Sequence, residues 1–184
     1  MQNKLYIIVM LTFILWIEGC VTPSDKNVFS KEELLFNSDS LLSLYPDDTS
    51  LLESILYEKI AYANRKNDVT IYKEILKIDP KNPTANYHIL MDDGFKKHKK
   101  DYKNGQWDAI QSFSKASTFI DSLGEPYYWM GKAYEKKDEM DFELPLECYN
   151  KSLNLHLTNS IRLKASQSRE SLIKRKKTYE DFWK

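Results

Sequence analysis

The stretch Tyr127-Tyr128-Trp129-Met130-Gly131-Lys132-Ala133-Tyr134 decides the fold. Its apolar residues do not alternate, as a half-buried strand requires. They recur at helical spacing, with Gly131 and Ala133 set among aromatics. A glycine inside a helix loses about 1 kcal/mol against alanine. Its presence there asks for a reason, and a close approach by a neighbouring helix supplies one. Gly124-Glu125-Pro126 precedes the stretch and reads as a restart, placing a helix from Pro126 to about Lys137.

Upstream, Ala109-Ile110-Gln111-Ser112-Phe113-Ser114-Lys115-Ala116 lies in a helix predicted over Trp107–Phe119, with Trp107, Ile110, Phe113, Ala116 and Phe119 on one stripe. Asp79-Pro80-Lys81-Asn82-Pro83 stops one helix and starts another, with Asn82 as N-cap and Pro83 at the first helical position. That next helix is predicted to run from Pro83 to about Lys103 and to end at Asn104-Gly105. Capping boxes stand at Ser30-Lys31-Glu32-Glu33 and Ser50-Leu51-Leu52-Glu53. The second opens a helix carrying Leu52, Ile55, Leu56, Ile60 and Ala63. Ile71, Tyr72, Ile75, Leu76 and Ile78 form the following stripe. Downstream, helices are expected over about Pro145–Leu155 and from about Asn159 to the C-terminus. No stretch alternates with period two, so essentially no strand is expected.

Helix pairs thus restart near Ser50, Pro83 and Pro126, at intervals of 33 and 43 residues. The pattern resembles the tetratricopeptide repeat, a helix–turn–helix unit of about 34 residues. Tyr127–Tyr134 is similar to the first helix of such a unit, with Met130 in place of its Leu, and Ala109–Ala116 to the second. Tyr149–Leu155 and the stretch closing at Asp79-Pro80 resemble two more second-helix endings. The resemblance covers about residues 50–157 and implies an all-α, superhelical stack of about three repeats, 50–82, 83–124 and 125–158. A capping region at 30–49 and a capping helix at 159–184 would cover its ends. The longer first helix of the second unit, the extra stretch Met140–Leu144 and Pro145 depart from the family pattern. An unrelated helical bundle is the alternative.

Residues 1–19 read as an address. Lys4 precedes an apolar run from Leu5 to Ile17. That run is shorter than the ~20 residues a membrane-spanning helix needs, and it suits a secretory signal. Ile17-Glu18-Gly19-Cys20 resembles the lipobox of bacterial lipoproteins, although Glu18 replaces its usual small residue. The resemblance implies cleavage before Cys20 and acylation of that residue, with the acyl (palmitate) chains holding the protein to a membrane. Residues 21–29 then read as a tether, and Val21 in place of Asp favours the outer membrane. An uncleaved signal anchor is the alternative.

The chain has 184 residues, 42% of them hydrophobic, with 5 Gly and 6 Pro, which suits one helical domain. Lys+Arg and Asp+Glu both total 27. A neutral chain lacks the basic excess that nucleic-acid binding requires. The three histidines are scattered, and neither a phosphate loop nor a zinc-protease motif nor a nucleophile elbow occurs. Asp92-Asp93 sit on adjacent helical positions and diverge. No catalytic residue, metal site or cofactor is expected, and Cys148 reads as a small buried hydrophobe.

By the resemblance, first helices line a concave groove that holds another envelope protein or peptide. The positions that map there are Tyr87, Met91 and Phe95 in the second unit and Tyr128, Lys132 and Glu135 in the third. Tyr87, Met91 and Phe95 read equally well as core. The basic runs Lys96–Lys100 and Lys174–Lys177 suit either anionic headgroups or solvated helix ends. The implied function is a non-enzymatic interaction scaffold or assembly factor in the bacterial envelope. An envelope enzyme accessory or hydrolase with an unrecognised site is the alternative from a different class.

Overall fold

A computed structural model describes residues 28–66, 68–100 and 103–183. Cys20, the apolar run before it and most of the tether lie outside the described residues. The fold is all-α. Nine helices follow one another among the described residues: α1 (Lys31–Phe36), α2 (Ser38–Leu44), α3 (Thr49–Lys66), α4 (Val69–Ile78), α5 (Pro83–His98), α6 (Lys103–Phe119), α7 (Glu125–Lys137), α8 (Glu143–Leu153) and α9 (Asn159–Phe182). Their extended backbone pairing is confined to an isolated bridge between Leu123 and His156.

Local chemistry sets most starts. Ser30 and Glu33 cap α1 reciprocally, with Glu33 N donating to Ser30 Oγ (3.2 Å) and Ser30 N to Glu33 Oε2 (2.8 Å). Asn82 Oδ1 accepts from Ala85 N (3.1 Å), so α5 opens on Pro83 as its sequence demands. Asp68 caps α4 through Thr70 N (2.9 Å). The start of α3 differs from the expectation. Asp48 Oδ1 accepts from Leu51 N (2.9 Å), and Ser50 lies inside the helix. A carboxylate also offsets the positive end of the helix dipole, which a hydroxyl does not.

Four boundaries, around α5, α6 and α8, are corrected. Helix α5 stops at His98, and Asn104-Gly105, expected to end it, belong to the first turn of α6. The cause is a buried side chain. Gln106 is almost fully enclosed, and its Nε2 donates to the carbonyls of His98 (3.1 Å) and Lys100 (2.5 Å). It thereby closes the open end of one helix from the first turn of the next. Helix α8 begins at Glu143, so Pro145 falls in its first turn, where a missing N–H is not needed. It ends at Leu153, not Leu155.

From α3 to α9 each helix packs on its neighbours in sequence; α9 also touches α7, and α1 and α2 lie against α3. The buried residues accordingly form serial clusters. Leu34, Leu41, Leu51 and Ile55 join α1, α2 and α3. Ala63, Tyr72, Ile75 and Ala85 join α3, α4 and α5. Tyr87, Met91, Ala109, Phe113 and Ala133 link α5, α6 and α7. Tyr128, Phe142, Tyr149, Ala165 and Leu172 link α7 to α9.

Two successive helix pairs close on the same contact. A Cβ on Gly131 would lie 2.6 Å from a ring carbon of Tyr149, and one on Gly94 would lie 2.4 Å from a ring carbon of Phe113. The second helix of each pair buries a triad around that ring: Ala109, Phe113 and Ala116 in α6, and Pro145, Tyr149 and Ser152 in α8. The triads stand 36 residues apart and the glycines 37. The packing register is thus more regular than the 33- and 43-residue intervals between helix starts, because loops of different length absorb the difference.

Candidate functional site

A groove of about 940 Å³ lies between α7 and α9 and reaches the C-terminal end of α5. Its floor is apolar, with Met140, Phe142, Tyr179 and Phe182. Its rim carries Lys132, Lys136, Lys174 and Arg175 against Glu135 and Glu139. Phe142 and Tyr179 meet with ring centroids 5.6 Å apart.

Glu135 organises this rim. Its carboxylate accepts a hydrogen bond from Tyr149 Oη and from Arg175 Nη1 (2.8 Å), and Lys132 Nζ lies 3.5 Å away. One carboxylate therefore ties α7 to both α8 and α9. Arg175 Nη2 also donates to the Glu139 carbonyl (2.9 Å). Burial, with the Glu135 carboxylate beside it, pushes the Tyr149 phenol far above its ordinary range, so it stays protonated and donating.

At the other edge, Gln106 spends both its N–H groups on carbonyls, so its Oε1 accepts from His98 Nδ1 (2.7 Å). Neutral His98 accordingly carries its proton on Nδ1. Burial, followed by the Lys136 and Lys132 charges, holds the His98 pKa below its usual value despite the opposing Gln106 bond.

The groove residues named from the sequence divide. Lys132 and Glu135 line the groove. Tyr87 and Met91, each 4% exposed, and Tyr128, at 5%, are core and do not face it. Burial raises the Tyr87 phenol's pKa above its ordinary value. Phe95 is half-buried, with its ring edge-on to Phe113 (5.5 Å) and Trp129 (5.0 Å). The close Gly94–Phe113 crossing draws α5 onto α6, and the residues around it become packing.

No family model matches the chain, and no curated protein matches it. The site therefore rests on its own geometry.

That geometry assigns both basic runs and the acidic pair. Lys96 and Lys97 bind Asp92 (2.5 Å) and Asp93 (2.6 Å) one turn back, and Lys97 and Asp93 both reach Ser112 of α6. In the second run, Arg175 and Lys176 pair with Glu135 and Glu143, while Lys174 and Lys177 stay exposed. The α9 half of the groove was missed from the sequence. The run Lys174–Lys177 marked it, but nothing local says which of its residues pair with carboxylates of α7 and α8. Cys148 is buried, its thiol pushed up to about 12 mainly by that burial, which leaves it a poor nucleophile. No described helix is long and apolar enough to cross a membrane.

Proposed function

We propose that the chain is a lipid-anchored, tetratricopeptide-type scaffold that holds another protein of the bacterial envelope and catalyses no reaction. The observation that carries this is the repeated closure of helix pairs, Gly94 on Phe113 and Gly131 on Tyr149, in a stack where helices meet their sequence neighbours. Stacked helix pairs bury a continuous core and leave one elongated face for a partner. The groove between α7 and α9 is that face. Its apolar floor with a mixed-charge rim suits a protein segment whose side chains anchor in the middle and pair at the edges. The lipobox-like Ile17-Glu18-Gly19-Cys20 supports attachment through Cys20, with the outer membrane's periplasmic side as the site of action.

Crosslinking in the native cell, followed by purification and mass spectrometry, tests the scaffold reading. A stoichiometric partner is expected, and Lys132→Glu with Lys136→Glu should remove it. A partner retained by that double variant would overturn the groove assignment. Cys20→Ser should release the protein from membranes; a variant that stays bound would point to an uncleaved anchor. Turnover of an envelope substrate by the purified protein would replace the scaffold with the enzyme reading.

A further inference from the structure

Both ends of the helical stack expose apolar side chains, where a stable stack ordinarily carries a polar outer face. At the N-terminal end Phe36, Leu44 and Tyr57 are each 71% exposed. A slot of about 500 Å³ opens there between α1 and α3, lined by Leu34, Tyr57, Ser50, Ser54 and Glu53 with Glu58, which is buried and paired with Lys31 (3.5 Å). At the C-terminal end Phe182 is 78% and Trp183 69% exposed, edge-on to each other (5.3 Å).

The two ends have opposite charge, which the neutral total conceals. Residues 28–60 hold seven acidic and two basic side chains; α9 holds seven basic and three acidic. The charges that face outward keep this contrast. Asp39, Asp47 and Glu53 are exposed at one end, and Lys164, Lys174 and Lys177 at the other.

We propose that copies of this chain associate head to tail, the Phe182–Trp183 end of one seated in the α1–α3 slot of the next. Lys174 and Lys177 approach Asp47 and Glu53 across the contact. One end carries exposed aromatics with Lys174 and Lys177 about one to two turns back along α9, and the other a slot with an exposed tyrosine and the carboxylates Asp47 and Glu53. An anionic lipid surface fits the C-terminal end less well, because Arg175 and Lys176 are already paired with Glu135 and Glu143 and only Lys174 and Lys177 of this basic run stay exposed. A contact between two different surfaces propagates into a ring or a filament, not a closed pair. The charge contrast orients the encounter and disfavours like ends meeting. Phe182 and Lys174 also line the groove between α7 and α9, whereas Lys177, Trp183, Asp47 and Glu53 lie outside it. The cysteine pair and the photocrosslinking position of the test are therefore placed away from the groove, and Lys132 and Lys136 are left untouched.

The test uses the full chain in cells, with two differently tagged copies, one carrying Glu53→Cys and the other Lys177→Cys. Mild oxidation should give a mixed-tag disulfide dimer at least tenfold above the yield from either variant alone or from the unsubstituted chain. Lys174→Glu on the second copy should lower that yield several-fold, and Asp47→Lys on the first should restore it. No mixed dimer, an equal dimer from Lys177→Cys alone, or a yield indifferent to charge reversal would overturn the proposal. A photocrosslinking residue in place of Trp183 gives an independent readout. It should label a second copy near α3; label passing to phospholipid or to a different protein instead would replace this chain as the occupant.

Discussion

Gly131→Ala sets two effects of opposite sign against each other. Replacing a mid-helix glycine by alanine gains about 0.5–1 kcal/mol of helix stability. The added methyl, however, would lie 2.6–2.9 Å from three ring carbons of Tyr149. That ring cannot easily yield. It is fully buried, and its hydroxyl is held by Glu135. Overpacking of this kind costs about 1–3 kcal/mol. The packing cost wins, for a net loss of about 1–2 kcal/mol, or roughly 2–6 °C in Tm for a domain of this size. The deciding comparison is made in a Tyr149→Val background, which removes all three ring atoms. There the packing cost disappears and the helix gain remains, so Gly131→Ala should stabilise by about 0.5–1 kcal/mol. Urea unfolding followed by far-UV circular dichroism reads all four proteins of the cycle. A stabilising Gly131→Ala in the natural background, or an equal effect in both backgrounds, would refute the claim that this glycine exists for helix approach.

Three further outcomes follow from other contacts. Gln106→Ala removes the donors that close α5 onto α6 and should cost about 1–3 kcal/mol, with faster amide exchange in the first turn of α6. His88, stacked on Tyr72 with ring centroids 4.4 Å apart, has its pKa lowered from 6.5 by burial. Below pH 6.5 the unfolded chain therefore binds a proton that the folded chain refuses, and stability falls as the pH drops through that value; His88→Phe should flatten this fall in Tm measurements from about pH 7.5 to about pH 5.5. In a Cys20→Ser chain, the Cys148 thiol should react with a disulfide reagent only as fast as the protein opens; rapid reaction in the folded state would contradict its burial.

Much of the local structure is legible because its causes are local. Pro83 behind Asn82 starts α5, and Ser30 with Glu33 starts α1, through bonds spanning three residues. Gly131 announces a close helix, and the nearest atoms belong to Tyr149, eighteen residues on. The errors arise where a distant side chain intervenes. Asn104-Gly105 looks like a terminator, yet Gln106 needs that turn helical in order to reach the carbonyls of His98 and Lys100.

The sequence by itself determined an all-α chain, the order of its helices and the close helix approach at Gly131, because helical periodicity, caps and small residues act over one or two turns; that Tyr149 is what meets Gly131 came from the tertiary structure. Only the tertiary structure decided which aromatic and charged side chains remain accessible. Tyr87, Met91 and Tyr128 share helical faces with residues that could line a groove, and the crossing of α5, α6 and α7 buries them. Glu135 and Arg175, forty positions apart, become neighbours because α9 folds back on α7. Periodicity says which face of a helix is apolar; what covers that face is set by the direction in which the next helix returns.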